Sequence, residues 1–168
     1  MKGKVDQSQL VTIKTFFCVG DKNLPAHMTQ KLGPLGLKAK DLTTMIDKEC
    51  KQWAGGRIFL EIQAQNRQAK IIAKPGTSAY IIKEMGGFGG ERDRKKVKLP
   101  PRTGNINFDQ VLKVARIVEA EGKSQSKTFE GTVKQVLGTC LSVGCTVDGK
   151  SPKEITAKVN AGELVCSK

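Results

Sequence analysis

The sequence predicts an α+β fold of two small domains, and three observations predict it. Before residue 75, apolar residues alternate at period two in two separate stretches, with one helical stretch between them. Beyond Pro75 the apolar spacing turns helical and stays so. Between these regimes lies "AKPGT" (73–77), a Pro-Gly break. The expectation is an N-terminal α+β domain over 1–74, a short antiparallel sheet with helices on one face, and a C-terminal all-helical domain over 75–168.

From Leu10 to Val19, "LVTIKTFFCV" puts Val11, Ile13, Thr15, Phe17 and Val19 on one face, as a half-buried strand would. A polar connection through His27 leads to the turn Gly33-Pro34-Leu35-Gly36. "KDLTTMIDKECKQW" then spaces Leu42, Met45, Ile46, Cys50 and Trp53 as one apolar helical face, ended by Gly55 and Gly56. "RIFLEIQAQ" alternates Ile58, Leu60, Ile62 and Ala64. A turn at Asn66-Arg67 returns it along "AKIIAK" as a hairpin.

In the second half, "TSAYIIKEM" reads as a short helix with Ala79, Ile82 and Met85 inward. "NFDQVLKVARIVEAEG" opens with Asn107 and Gln110 at N-cap and N3 spacing and buries Val111, Leu112, Ala115 and Val118. "TFEGTVKQVLGTCLSVG" buries Phe129, Val133, Val136, Leu137, Cys140 and Leu141, with Gly144 where a left-handed cap is needed. In "SPKEITAKVNAG", Ser151 is the N-cap, Pro152 the first helical residue, Glu154 N3 and Gly162 the terminator.

The charge restricts the function class. The chain of 168 residues carries 29 Lys+Arg against 16 Asp+Glu, a net +13 that calls for a polyanionic partner. No apolar run is long enough to span a bilayer, which disfavours a membrane partner, and residues 1–6 lack the apolar core of a signal peptide. The densest charge is "RDRKKVKLPPR" (92–102), six basic residues against one acid, fed by the glycine run "GGFGG" (86–90). A hinge leading into such a run reads as a loop that orders on a phosphate backbone. Five cysteines, an odd number without Cys-x-x-Cys spacing, read as reduced thiols of a cytosolic protein, with no metal site expected.

Catalytic signatures are lacking. His27, the only histidine, has no Cys, Asp or Glu at ligand or triad spacing. Gly144-Cys-Thr-Val-Asp-Gly149-Lys150-Ser151 formally matches a phosphate-binding loop. That loop must leave a buried strand and enter a helix through its Lys and Ser, whereas a helix precedes Gly144 and Pro152 makes Ser151 a cap. It reads as a turn, and no cofactor is expected. The seven Phe and Tyr lie mostly at core-facing positions, which argues against a base-stacking platform and for recognition of a folded RNA shape. Gly138, Thr139, Ser142 and Gly144 form a small, hydroxyl-bearing edge on an otherwise apolar helix. That edge suits either close approach to RNA or a helix–helix contact.

Seven collinear segments, "KLGPLGL", "AQNRQAKI", "SAYIIKE", "RDRKK", "TGNINFDQVLKVAR", "GTVKQVLGTCLSVGCTVDGKSPKEI" and "VNAGELVC", cover most of the chain from residue 30 onward. Together they resemble the archaeal and eukaryotic branch of the universal L-eleven family, the stalk-base protein of the large ribosomal subunit. The resemblance implies a non-enzymatic structural constituent whose helical domain grips rRNA at the GTPase-associated centre. Gly138, Thr139, Ser142 and Gly144 would then lie in the RNA-facing helix, and Arg94, Lys95, Lys96, Gly104 and Asn105 in a loop against RNA. The N-terminal domain, with the turn of Gly33, Pro34 and Gly36, would face elongation factors and stalk proteins. The implied partners are large-subunit rRNA, ribosomal stalk proteins and translational GTPases, in a cytosolic ribosome and without homo-oligomer formation. A free nucleic-acid-binding regulator and a nucleotide-hydrolysing enzyme are the competing classes.

Overall fold

A computed structural model describes residues 10–20, 24–66, 68–87 and 104–166. The described chain forms two compact units that meet in sequence between Gly76 and Thr77.

The first unit is built on a three-stranded antiparallel sheet in the order β1-β2-β3, with β1 Val11–Cys18, β2 Arg57–Gln65 and β3 Gln68–Lys74. Ile13 pairs with Ile62, and Ile62 in turn with Ile71, so the apolar residues of all three strands share one face. The tight β2–β3 return puts Asn66 at φ 49°, a left-handed conformation that asparagine tolerates better than most residues.

Against the apolar face lie α1 Ala26–Leu32, a 3-10 turn Gly33–Leu35, α2 Ala39–Glu49 and a second 3-10 turn Lys51–Trp53. They bury Met28, Leu32, Leu35, Leu42, Ile46, Cys50 and Trp53. Two expectations are corrected here. The polar connection through His27 is a helix: Met28 and Leu32, four residues apart, point inward from an otherwise polar segment. His27 lies on it, its Nε2 2.9 Å from Thr15 Oγ1 on β1. Met45 is 40% exposed, because the buried stripe of α2 runs through Leu42, Thr43 and Ile46.

The second unit packs four helices: α3 Thr77–Glu84, α4 Phe108–Ala120, α5 Phe129–Val143 and α6 Pro152–Asn160. Its core holds Ile81, Val111, Val114, Val118, Val133, Val136, Leu137 and Cys140. On α3 the fully buried isoleucine is Ile81, and Ile82 is only half-buried. Phe129, at the first turn of α5, packs on the edge of the core and not inside it. The all-helical expectation also omits a two-residue parallel ladder, in which β4 Asn105–Ile106 pairs with β5 Thr146–Val147. Ile106 and Val147 plug its inner side.

Capping follows the sequence closely. The Asn107 amide donates to Gln110 Oε1 at 2.9 Å, one half of a capping box on α4. Thr128 Oγ1 accepts from the Gly131 amide at 3.2 Å and caps α5. Gly144 terminates α5 at φ 93°, a left-handed position that glycine adopts without steric cost. Ser151 stands at the N-cap of α6 ahead of Pro152, where its carbonyl accepts from the Glu154 and Ile155 amides.

Candidate nucleic-acid interface

Helix α5 divides its surface cleanly. Thr132, Val133, Val136, Leu137 and Cys140 recur at helical spacing and are buried. The opposite edge, Gly138, Leu141 and Ser142, is exposed, with Thr139 half-buried beside it and Gly144 exposed at the end. A Cβ built on Gly138 meets nothing within 4 Å. No neighbour among the described residues therefore requires glycine there, although a helix interior normally disfavours it by about 1 kcal/mol relative to alanine. Among the described residues no helix–helix contact fills the space at Gly138, so that position of the edge is open.

The hydroxyls on this edge are held by the helix itself. Thr139 Oγ1 donates to Gln135 O at 3.1 Å, and Ser142 Oγ donates to Thr139 O at 2.8 Å. With their protons engaged, both oxygens present lone pairs outward, suited to accepting from a ribose 2′-hydroxyl.

Leu141 corrects another expectation. It is 43% exposed, one position beyond the buried Cys140, and it flanks Gly138. With Leu137, Pro152, Lys153, Thr156 and Lys134 they line a shallow groove of about 260 Å³ between α5 and α6. An apolar floor between two lysines suits the sugar and phosphate of a nucleic-acid backbone.

Gly104 and Asn105 come from a distant part of the sequence and join this end of α5 through the β4–β5 ladder. Gly104 O accepts from the Thr146 amide at 2.8 Å. Asn105 Oδ1 accepts from the Gly149 amide at 2.8 Å and from Thr146 Oγ1 at 3.0 Å. A Cβ at Gly104 would stand 2.4 Å from the terminal carbon of Met85, so the glycine also makes room for that side chain. Both residues thus hold the site together. Arg94, Lys95 and Lys96 lie outside the described residues. Gly33, Pro34 and Gly36 belong to the other unit. There Pro34 sits in the 3-10 turn after α1, and Gly36, at φ 72°, donates its amide to Gly33 O at 3.0 Å.

The apparent phosphate loop is a closed turn. Val147 and Lys150 exchange two backbone hydrogen bonds of 2.9 Å across Asp148 (φ 49°) and Gly149 (φ 72°). Every backbone amide from Gly144 to Lys150 is already spent. Gly144 and Cys145 donate to Cys140 O, Thr146 to Gly104 O, Val147 to Lys150 O, Asp148 to Ile106 O, Gly149 to Asn105 Oδ1 and Lys150 to Val147 O. None is left to cradle a phosphate, which is how such a loop works. The Asp148 carboxylate instead accepts from the Phe108 amide at 3.3 Å and caps α4 from 40 residues away. Sequence reasoning did not single out Asp148; its only local signal is the Asp-Gly pair of a tight turn.

Lys150 is exposed, and its neighbour Lys158 holds its amine below the ordinary lysine range. Lys150, just before α6, and Lys158, in its last turn, thus bring two amines together. Among the described residues no group of three or more His, Cys, Asp or Glu is placed to hold a metal, and no helix is long and apolar enough to cross a membrane.

Comparison with known proteins agrees with this geometry. The family model "Ribosomal protein L11, RNA binding domain" matches residues 73–147. The chain is 42% identical over 165 residues to the large ribosomal subunit protein uL11x of Arabidopsis thaliana, covering 98% of this chain and 97% of that protein. The chain belongs to the ribosomal protein L11 family. The L11-family assignment is of eukaryotic type. Large ribosomal subunit protein uL11A of Schizosaccharomyces pombe is 38% identical over 164 residues, and uL11 of Caenorhabditis briggsae 36%, each covering 98% of this chain and 97% of the relative. The matched stretch contains Gly104, Asn105 and the whole small edge of α5. The tight turn and α6 of this L11-family chain continue beyond it.

Proposed function

We propose that the protein is a structural constituent of the large ribosomal subunit and performs no catalysis. Its C-terminal unit binds rRNA by laying the Gly138–Ser142 edge of α5 into the wide, shallow minor groove of a folded RNA, with Gly104 and Asn105 bracing the loop beside it. In this reading Arg94, Lys95 and Lys96 neutralise phosphates, and the basic excess of the chain supplies the salt-dependent part of the affinity. The observation that carries the reading is the open space in front of Gly138, an exposed helical glycine that no contact among the described residues requires and that an external surface would explain.

The N-terminal unit, with the turn of Gly33, Pro34 and Gly36, is the part that faces stalk proteins and translational GTPases. The domain roles divide near residue 75, and the setting is the cytosolic ribosome. Support for this division comes from the family model, which begins at residue 73 and names RNA binding. Comparing fragments 75–168 and 1–74 for affinity to an rRNA fragment of the stalk base tests it. The first should bind nearly as well as the full chain; the reading fails if 1–74 carries most of the affinity.

A further inference from the structure

The face of the β1–β2–β3 sheet opposite its helices is chemically unusual. Strand alternation places Phe16 there, and it is 53% exposed. Phe59 stands directly opposite it on β2, the two rings 4.9 Å apart and edge to face, and the Arg57 guanidinium lies 5.0 Å over the Phe16 ring. Lys14 pairs in register with Glu61, and Gln63 with Lys70, all on this face. Glu61, the face's acid, is tied to Lys74 in an ion pair whose hydrogen bond keeps its carboxyl below the usual range. Among the described residues of this face, Lys14, Arg57, Lys70 and Lys74 outnumber Glu61, which Lys14 also faces, so a net positive frame surrounds the aromatic pair.

We infer that this sheet face is a second RNA site, a platform for a short single strand. A nucleobase stacks against the Phe16–Arg57 layer, a base edge meets the Gln63 amide, and phosphates run along Lys14 and Lys70. Phe59 and Gln63 are four residues apart on one face, about 13 Å, a span on which sheet platforms seat about two or three bases. A nucleotide strand uses all three features at once: π-faces for the rings, donor and acceptor edges for the amide, and phosphates for the cations. An acidic peptide also matches the cations and the amide, but it has no base π-face for the aromatic pair unless it carries an aromatic side chain. In the sequence, aromatics mostly at core-facing positions argue against such a platform; the exposed Phe16 is the exception on which this proposal rests.

The test uses the full chain and a fluorescein-labelled octa-adenylate, with affinity read by anisotropy. Phe16→Ala should weaken binding about tenfold, the loss of one stacked base, while Phe16→Trp should retain it. Lys14→Gln with Lys70→Gln should lower the log–log salt slope by roughly 1.4. Affinity for the folded rRNA fragment should be unchanged by Phe16→Ala and lost in Gly138→Leu, so the two sites fail separately. Octa-adenylate binding that ignores Phe16 overturns the proposal. So does Phe16-dependent binding of a Glu- and Phe-rich peptide without any of the oligonucleotide.

Discussion

Asn105 and Gly149, 44 residues apart in sequence, are joined by a 2.8 Å hydrogen bond from the Gly149 amide to Asn105 Oδ1. That bond closes the β4–β5 ladder onto the tight turn after α5 and fixes two segments, each expected at the RNA surface, as one piece. Asn105→Ala should therefore cost about 1 kcal/mol, lowering the melting temperature of the C-terminal unit by several degrees. It should weaken rRNA binding as well. Asn105→Asp, which keeps the accepting oxygen, should recover most of the thermal stability and less of the RNA affinity, since it adds a negative charge.

Substitutions at Gly138 should separate folding from binding. With open space in front of its Cβ, Gly138→Ala should stabilise α5 by about 0.5–1 kcal/mol, and yet reduce rRNA affinity. Gly138→Leu should keep native helical content by circular dichroism and lose affinity much further. Loss of helicity in parallel with loss of binding would instead mean that this glycine serves internal packing.

Much of this organisation was legible in the sequence because local chemistry and tertiary packing agree. Asn107 and Gln110, Gly144 and Ser151-Pro152 mark helix ends by capping chemistry that needs no partner from elsewhere. The β1–β2–β3 strands alternate cleanly because one face is buried. What escaped was written only in three dimensions. The α1 segment offers just Met28 and Leu32 to a core and otherwise reads as loop. A two-residue parallel ladder has no period to detect. Leu141 and Met45 sit one step outside their buried stripes, a difference smaller than helical spacing resolves. The exposure of Phe16 follows from strand alternation, but its pairing with Phe59 and Arg57 depends on register.

The buried thiols give the protein an alkaline limit. Burial, reinforced by Glu49 and Asp47, pushes the Cys50 thiol up to about 11 from 9.0, and burial raises Cys140 and Cys145 in the same direction. The folded state thus holds these protons more tightly than the unfolded chain does. Their contribution to stability is complete below about pH 9 and is lost as pH rises toward 11. Denaturant midpoints measured from pH 8 to 11 should fall steadily, and Cys50→Ser or Cys140→Ser should flatten the fall.

Lys150 should be dispensable. With every amide from Gly144 to Lys150 engaged within the protein, the purified chain should neither retain nor hydrolyse ATP or GTP. Lys150→Ala should leave rRNA affinity nearly intact. Saturable nucleotide binding abolished by that substitution would restore the enzyme class.

The most direct test of the central claim is co-sedimentation with large ribosomal subunits stripped of their own copy of this protein, through a high-sucrose cushion. The full chain should pellet with the subunit in near-equimolar amount, and Gly138→Leu, folded but with its RNA-facing edge blocked, should stay in the supernatant. Wild-type protein left in the supernatant, or Gly138→Leu pelleting as fully as wild type, would contradict the account.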